Sequence, residues 1–270
     1  MHRVLMVLVL STAVACGDSD SGSPTSSSPT TTGVAVTVSS PLRMGQTAQA
    51  SGTETLSSGQ TQSITSGWLS DAPAVATVTG AGLVTGVTNG RATIHVVAGG
   101  RLGQQVVRAV PDYQGRWSGG LRVTSCSETG IFAQLDFCDD FPNGSTGGYT
   151  LALAQSGELM TATASYGDPA FPGVAAPVRE DGTSVFTPQL SITESGTTLT
   201  IDAAFNINSL RVGELTGTVN EVWRVPNVPG EARLQQNIFA TTRTSTTALN
   251  GSGGDGASRF RILRKLGQDR

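Results

Sequence analysis

The chain has 270 residues, of which 14% are charged and 5% aromatic, with 34 glycines and a formal net charge of −3. That length leaves room for two domains of ordinary size plus tails, and sparse charge with recurrent Gly, Ser and Thr favours short strands and turns over helices. Arg259, Arg261, Arg264, Lys265 and Arg270 crowd into residues 257–270, so the body of the chain is acidic and no basic groove for nucleic acid is expected.

Residues 1–15 read as a secretory signal. A weakly basic start, His2-Arg3, precedes an apolar run over 4–10 and the small residues Ala13-Val14-Ala15 lead to Cys16. The apolar run is too short to persist as a spanning helix. A cysteine at the cleavage point resembles the bacterial lipoprotein signal. That resemblance implies that Cys16 becomes the lipidated first residue of an exported protein anchored in a bacterial cell envelope, at the outer membrane or cell surface. Ordinary cleavage that leaves Cys16 a free thiol is the alternative. Residues 17–32, GDSDSGSPTSSSPTTT, offer no apolar side chain to a core, so 16–32 is expected to be the anchored Cys and a disordered Ser/Thr/Pro tether.

The most informative stretch begins at Trp68. A turn signal, Ser70-Asp71-Ala72-Pro73, leads into the β-rich Val75-Ala76-Thr77-Val78, then Gly80-Ala81-Gly82, Leu83-Val84, Gly86 and Asn89-Gly90. Asn-Gly tolerates positive φ, so 83–87 and 92–97 are expected to pair as an antiparallel hairpin. Alternation puts Ala92, Ile94 and Val96 on one face and Thr93, His95 and Val97 on the other.

This run resembles the bacterial Ig-like group-two domain, whose pattern is a Trp, a Ser/Asp/Pro turn, V-A-x-V, G-L-V-T-G-V, a Gly and A-T-I. The matching residues are Trp68, Ser70, Val75, Ala76, Val78, Gly82 to Val87, Gly90, Ala92, Thr93 and Ile94, and Val36-Thr37-Val38 with residues 45–50 fit the opening strands. Ala50 and Arg91 depart from the pattern, which bears on edge packing. The resemblance covers residues 33–111 and implies a small β-sandwich used on bacterial surfaces as an adhesive unit or spacer. Trp68 is expected in its core, between the sheets.

Pro111-Asp112 reads as a boundary, and 112–245 as a second all-β domain. Trp117, Leu121 and Val123 share a face, as do Tyr149/Leu151/Leu153, Leu199/Ile201/Ala203/Phe205/Ile207 and Leu215/Val219/Trp223, with weaker runs at 158–165, 172–178, 184–193 and 233–241. Turn signals at 155–158, 180–182, 194–196 and 212–214 separate them. About eight antiparallel strands in sequence order suit an up-and-down barrel or a second sandwich. The opening Gly115-x-Trp117-x-Gly119 and the late run Leu215, Gly217, Val219, Trp223 loosely resemble small lipocalin-like or avidin-like barrels. Trp117 and Trp223 are expected in the core. The whole chain is therefore expected to be all-β: an N-terminal Ig-like sandwich, then a barrel or sandwich.

Chemistry-bearing residues are few. Cys126 and Cys138 form an even pair in an exported domain and are expected to be bridged. Asp136, Asp139 and Asp140 in that loop could offer oxygens to calcium, but without the order of a known calcium loop a solvated acidic loop is the better reading. After signal removal His95 is the one histidine, and no nucleophile-elbow, zinc-protease or phosphate-loop motif occurs. A glycosidase needs only two carboxylates, for which Glu158 and Asp202 are the candidates. No enzyme activity and no cofactor are expected. The expected partners are the membrane, through Cys16, and an extracellular protein or glycan. Residues 246–270 read as a flexible basic tail, in which Phe260, Leu263 and Leu266 among cations could make a short amphipathic segment.

Overall fold

The computed structural model describes residues 28–167, 169–244 and 256–268. The first domain is built from β1 (Thr31–Thr37), β2 (Leu42–Arg43), β3 (Thr47–Gln49), β4 (Ser51–Leu56), β5 (Thr61–Ile64), β6 (Leu69–Ser70), β7 (Ala76–Val78), β8 (Leu83–Gly86), β9 (Gly90–Ala98) and β10 (Arg101–Val110). They form three small sheets, β1-β4-β5, β3-β8-β7 and β2-β10-β9-β6. Its first strand starts at Thr31, inside the stretch expected as tether.

The alternation read from the sequence sets the faces of β9: Ala92, Ile94 and Val96 are buried, and Thr93, His95 and Val97 point outward. The expected hairpin does not form. β8 pairs with β3 and β7, whereas β9 pairs with β10 and β6, so Asn89-Gly90 carries the chain from one sheet to another. The reason is burial: Val84 and Ile94 are each fully buried, and two strands with one apolar face each bury both by lying in facing layers. Trp68 fills the space between the layers. It is 3% exposed, and a Cβ at Gly52 would lie 3.1 Å from its ring. Ala50, also buried, donates its amide to the carbonyl of Gly82 at 2.8 Å.

The second domain comprises β11 (Gly115–Glu128), α1 (Ile131–Gln134), α2 (Phe137–Asp140), β12 (Thr146–Ser156), β13 (Leu159–Ser165), β14 (Val174–Pro177), β15 (Ser184–Phe186), β16 (Gln189–Glu194), β17 (Thr197–Asn208), β18 (Thr216–Arg224), β19 (Ala232–Thr244) and α3 (Gly256–Gln268). The sheet runs β14-β13-β12-β11-β19-β18-β17-β15, with β16 paired to the first half of β17. Because β19 pairs with β11, and a bridge between Val178 and Ser184 joins the β14 and β15 ends, the sheet nearly closes into an antiparallel barrel in sequence order. Each apolar run named above lines its interior: Trp117, Leu151, Phe205, Val219 and Trp223 are at most 2% exposed. The glycines of the opening and late motifs are close-approach positions. A Cβ at Gly119 would meet the Phe239 carbonyl at 2.8 Å, beside a register shift between β11 and β19, and one at Gly217 would meet Asn206 O at 2.2 Å.

One barrel end abuts the Ig-like domain. Arg108, near the end of β10 and 4% exposed, ion-pairs with Glu158, donates to Glu180 Oε2 at 2.5 Å and to the carbonyl of Arg179 at 2.7 Å. Arg91 adds a second bond to Glu180 at 2.7 Å and Asn89 one to the Glu180 carbonyl at 2.9 Å. A buried guanidinium is tolerable only when its donors meet acceptors, and here the acceptors come from the other domain.

The terminal stretch departs from expectation. Residues 256–268, read as flexible tail, form α3. Arg259, Ile262, Leu263 and Leu266 recur at i, i+3, i+4 and i+7, which places them on one helical face, and all four are buried.

Candidate binding site at the barrel mouth

The end of the barrel away from the Ig-like domain is closed by three pieces. The first is α1–α2, held to β11 by a Cys126–Cys138 disulfide with Cα atoms 5.7 Å apart. Glu128 reinforces it by accepting the Cys138 amide at 2.7 Å. Phe132, Phe137 and Phe141 pack here, Phe137 lying edge-on to Trp223 with centroids 5.0 Å apart. The second piece is the stretch between β13 and β14, which turns Tyr166 and Phe171 inward against Phe205. The third is α3.

Polar groups gather under this closure. Glu221 continues the inward parity of Val219 and Trp223 on β18, so alternation drives a carboxylate into the interior, where it is 1% exposed. It accepts a hydrogen bond from the Tyr166 hydroxyl and one from Trp223 Nε1 at 2.9 Å. Gln236 on β19 pairs with Val219, a diagonal neighbour of Glu221 on the same face, and is 4% exposed; its Oε1 is buried with no hydrogen-bond partner. Arg259 enters from α3. Its guanidinium lies 4.7 Å from the Tyr166 ring centroid and 5.0 Å from that of Phe171, and Nη1 donates to Pro169 O at 3.0 Å. Nη2 is buried and unpartnered. Tyr166 joins the two charges, its ring carrying the guanidinium and its hydroxyl donating to the carboxylate, while Gln236 keeps a buried acceptor elsewhere in the barrel interior.

The acidic loop serves the same closure. Asp140 meets Arg261 at 3.1 Å and Lys265 at 3.4 Å, and Lys265 also donates to Leu135 O at 3.1 Å. Asp136 and Asp139 are exposed, and among the described residues no three His, Cys, Asp or Glu side chains converge on a metal position. The three aspartates weighed for calcium are thus not brought together.

Glu158 and Asp202 are likewise engaged separately, Glu158 by Arg108 and Asp202 by Arg224 at 2.7 Å and by Gln189 at 2.6 Å. His95 lies on the outer face of β9, part-exposed. Asp71 is held below the usual carboxylate range by its hydrogen bonds with Thr93, with a smaller contribution from the charge of His95. Trp68 and Trp117 sit in their domain cores, far in chain and topology from this mouth, and Trp223 lies beneath it. Cys16 falls outside the described residues. Sequence reasoning missed Tyr166, Glu221, Gln236 and Arg259. A signal existed for two of them: Glu221 and Gln236 occupy positions that strand alternation assigns to apolar side chains.

A compact sandwich followed by a capped antiparallel barrel defines a two-domain all-β protein. Residues 30–109 match the model of the bacterial Ig-like domain (group 2) family. No curated protein matches the chain. Among solved structures, domains 5–6 of the S-layer protein SbsC align with 16% identity over 82% of this chain and 100% of that one, at a TM-score of 0.28. SbsC domains 4–9 align with 13% identity over 77% of this chain and 31% of that one, again at 0.28. Overlap of that depth transfers neither domain arrangement nor function.

Proposed function

We propose that the protein is an exported surface lipoprotein, anchored through Cys16, in which the Ig-like domain acts as an adhesive or spacer module and presents the barrel for non-catalytic binding of a protein or glycan. The observation that supports this most is the asymmetry of the barrel: one end is locked to the Ig-like domain through buried Arg108, so the capped mouth stands at the opposite end, away from the tether. The Ig-like family match supports the surface setting. Non-catalytic action is supported by the two candidate carboxylates, each of which faces an arginine in a separate ion-pair set.

A second reading, a small-ligand barrel, is favoured by Gln236, whose unpartnered Oε1 faces the interior. The test has two arms. Cys16→Ser should move the protein from the membrane fraction to the soluble fraction. The soluble form, screened on protein and glycan arrays, should bind through the capped mouth, with binding lost in Trp223→Ala if that variant keeps its fold by circular dichroism. Persistence of Cys16→Ser in membranes would refute the anchor.

A further inference from the structure

Building on the anchored reading above, we infer that the outer face of the β2-β10-β9-β6 sheet is a docking surface for the lipid bilayer that holds Cys16. That face carries an apolar patch which the fold leaves uncovered. On β10, Leu102 and Val106 are 57% and 51% exposed, and Val97 on β9 and Leu69 on β6 are each 59% exposed. Register makes them neighbours. Leu102 lies directly opposite Val97 and Val106 opposite Thr93, while Leu69 and Gln104 flank His95 from either side. The inward residues Ile94, Val96 and Val107 already supply this sheet's share of the core. A sheet with one buried face ordinarily turns polar side chains to water on the other, so a second apolar patch calls for an occupant.

Three features favour a membrane over another protein. The first is where the chain enters. A Cβ at Gly99 would fall 1.6 Å from Thr31 Oγ1, so β1 starts beside the β9–β10 turn, which Val97 and Leu102 flank. Cys16 precedes Thr31 by 15 residues, a length that spans at most about 50 Å when fully extended. The Val97–Leu102 end is thereby kept near the lipid, while the barrel is locked to the other end through Arg108. Contact begins at that row, and a tilt of the domain brings Leu69 and Val106 down to the surface. The second feature is size. Three strands about 4.8 Å apart, over the stretch 102–106 of β10, define roughly 300 Å² with their side chains. A stable pairing of two proteins uses about 800 Å² a side. An anchored chain needs less, because the tether supplies the effective concentration. The third is charge. Away from the joint, His95 is the one titratable side chain on the face, and exposed Arg101 adds a cation at the turn. Asp71, beyond the end of β6, has Oδ1 accepting the Thr93 amide at 2.6 Å. Anionic headgroups therefore meet no acidic side chain on the patch itself.

The test uses the full lipidated chain reconstituted into vesicles of phosphatidylethanolamine and phosphatidylglycerol, with one added cysteine carrying an environment-sensitive dye. Cys126 and Cys138 are bridged and take no label. With Val97→Cys or Leu102→Cys, emission should shift to the blue on reconstitution and lose its quenching by aqueous iodide. With Thr61→Cys, on β5 of the other sheet, neither should change. All three positions are exposed, so the substitutions leave the core intact, which circular dichroism checks. Adding Leu69→Glu and Val106→Glu should return the label at position 97 to its aqueous spectrum. Labels at 97 and 102 that stay aqueous in vesicles holding the lipidated chain would overturn the docking surface and leave the anchor standing. A mature chain recovered soluble and without lipid would overturn the anchor, and the docking surface with it. Shielding that grows with concentration in the soluble Cys16→Ser form, without vesicles, would assign the face to a second copy and overturn the bilayer as its occupant.

Discussion

The two ends of the barrel solve the same problem with different completeness. At the Ig-facing end Arg243 stacks on Trp117 at 4.6 Å, and its guanidinium also meets Asp112, through Oδ2 at 2.8 Å and the carbonyl at 2.5 Å. Trp117 Nε1 donates to Tyr113 O at 2.8 Å, and the Tyr113 hydroxyl to Gly182 O at 2.6 Å. Burial pushes the Tyr113 phenol above its usual range, so it stays a donor. At the far end Arg259 stacks equally well, but among the described residues its hydrogen bond goes to a neutral carbonyl. Both cations make charge-assisted bonds, and of the two it is Arg243 that meets a carboxylate as well as a carbonyl. Each guanidinium keeps one buried nitrogen without a partner, Nε of Arg243 and Nη2 of Arg259, so the difference between the ends is the carboxylate of Asp112 at the first and the main-chain carbonyl of Pro169 at the second.

The sharpest way to break that comparison is to truncate one apolar anchor at each end. Trp117→Ala should cost about 3–5 kcal/mol, as buried tryptophans do, and lower the urea midpoint of the whole barrel. Leu263→Ala, equally buried but on a helix that adds no strand to the sheet, should lower that midpoint by less. Urea melts followed by near-ultraviolet circular dichroism read both. Equal losses would mean that α3 is as integral as the first strand.

A smaller effect tests what supports the far end. Replacing Cys126 and Cys138 by serine opens a loop whose closure contributes about 3 kcal/mol in the chain-entropy account. The α1–α2 cap carries the Leu135 carbonyl and the Asp140 carboxylate that hold Lys265, so the loss should appear as faster proteolysis near residues 129–145 and within α3, with the Ig-like domain unaffected. Unchanged cleavage there would detach the bridge from the closure.

The barrel wall and the Cys126–Cys138 bridge were legible in the sequence and the polar groups that close the two ends were not, for a physical reason. Period-two alternation and turn residues identify strands that bury one face, so Trp117/Leu121/Val123 and Leu199 to Ile207 could be assigned inward without coordinates. The same rule, applied to every residue, marks Glu221 and Gln236 as inward polar groups, and there the pattern is informative because it is broken. The sandwich went partly astray at Asn89-Gly90, since a local turn signal cannot say whether the chain re-enters the same sheet or crosses to the facing one. Arg259 was hidden because a short, basic, Gly-flanked segment has low helical tendency by itself; only the aromatic seat, assembled from β13, β17 and the stretch after β13, makes its burial favourable.

The smallest effect concerns the joint between the domains. Glu180 is held below the usual carboxylate range, first by the hydrogen bond from Arg91 and then by the charge of Arg108. A carboxyl with a lower pKa in the folded state stabilises that state fully above the ordinary carboxylate range, and the contribution disappears as pH falls through the folded value. Acid should therefore weaken the Arg91–Glu180–Arg108 link while leaving each domain's core intact, and the first sign should be a longer distance between dyes placed on the two domains, not a lower melting midpoint. Because Glu180 is exposed on the rim of the joint, salt should blunt the effect. Glu180→Gln removes the titrating group, so its interdomain distance should be nearly flat over the range in which the native protein opens. A variant that opens with the native pH profile would show that Glu180 does not carry the acid response, and the near end would then be held by a different pair from the one inferred.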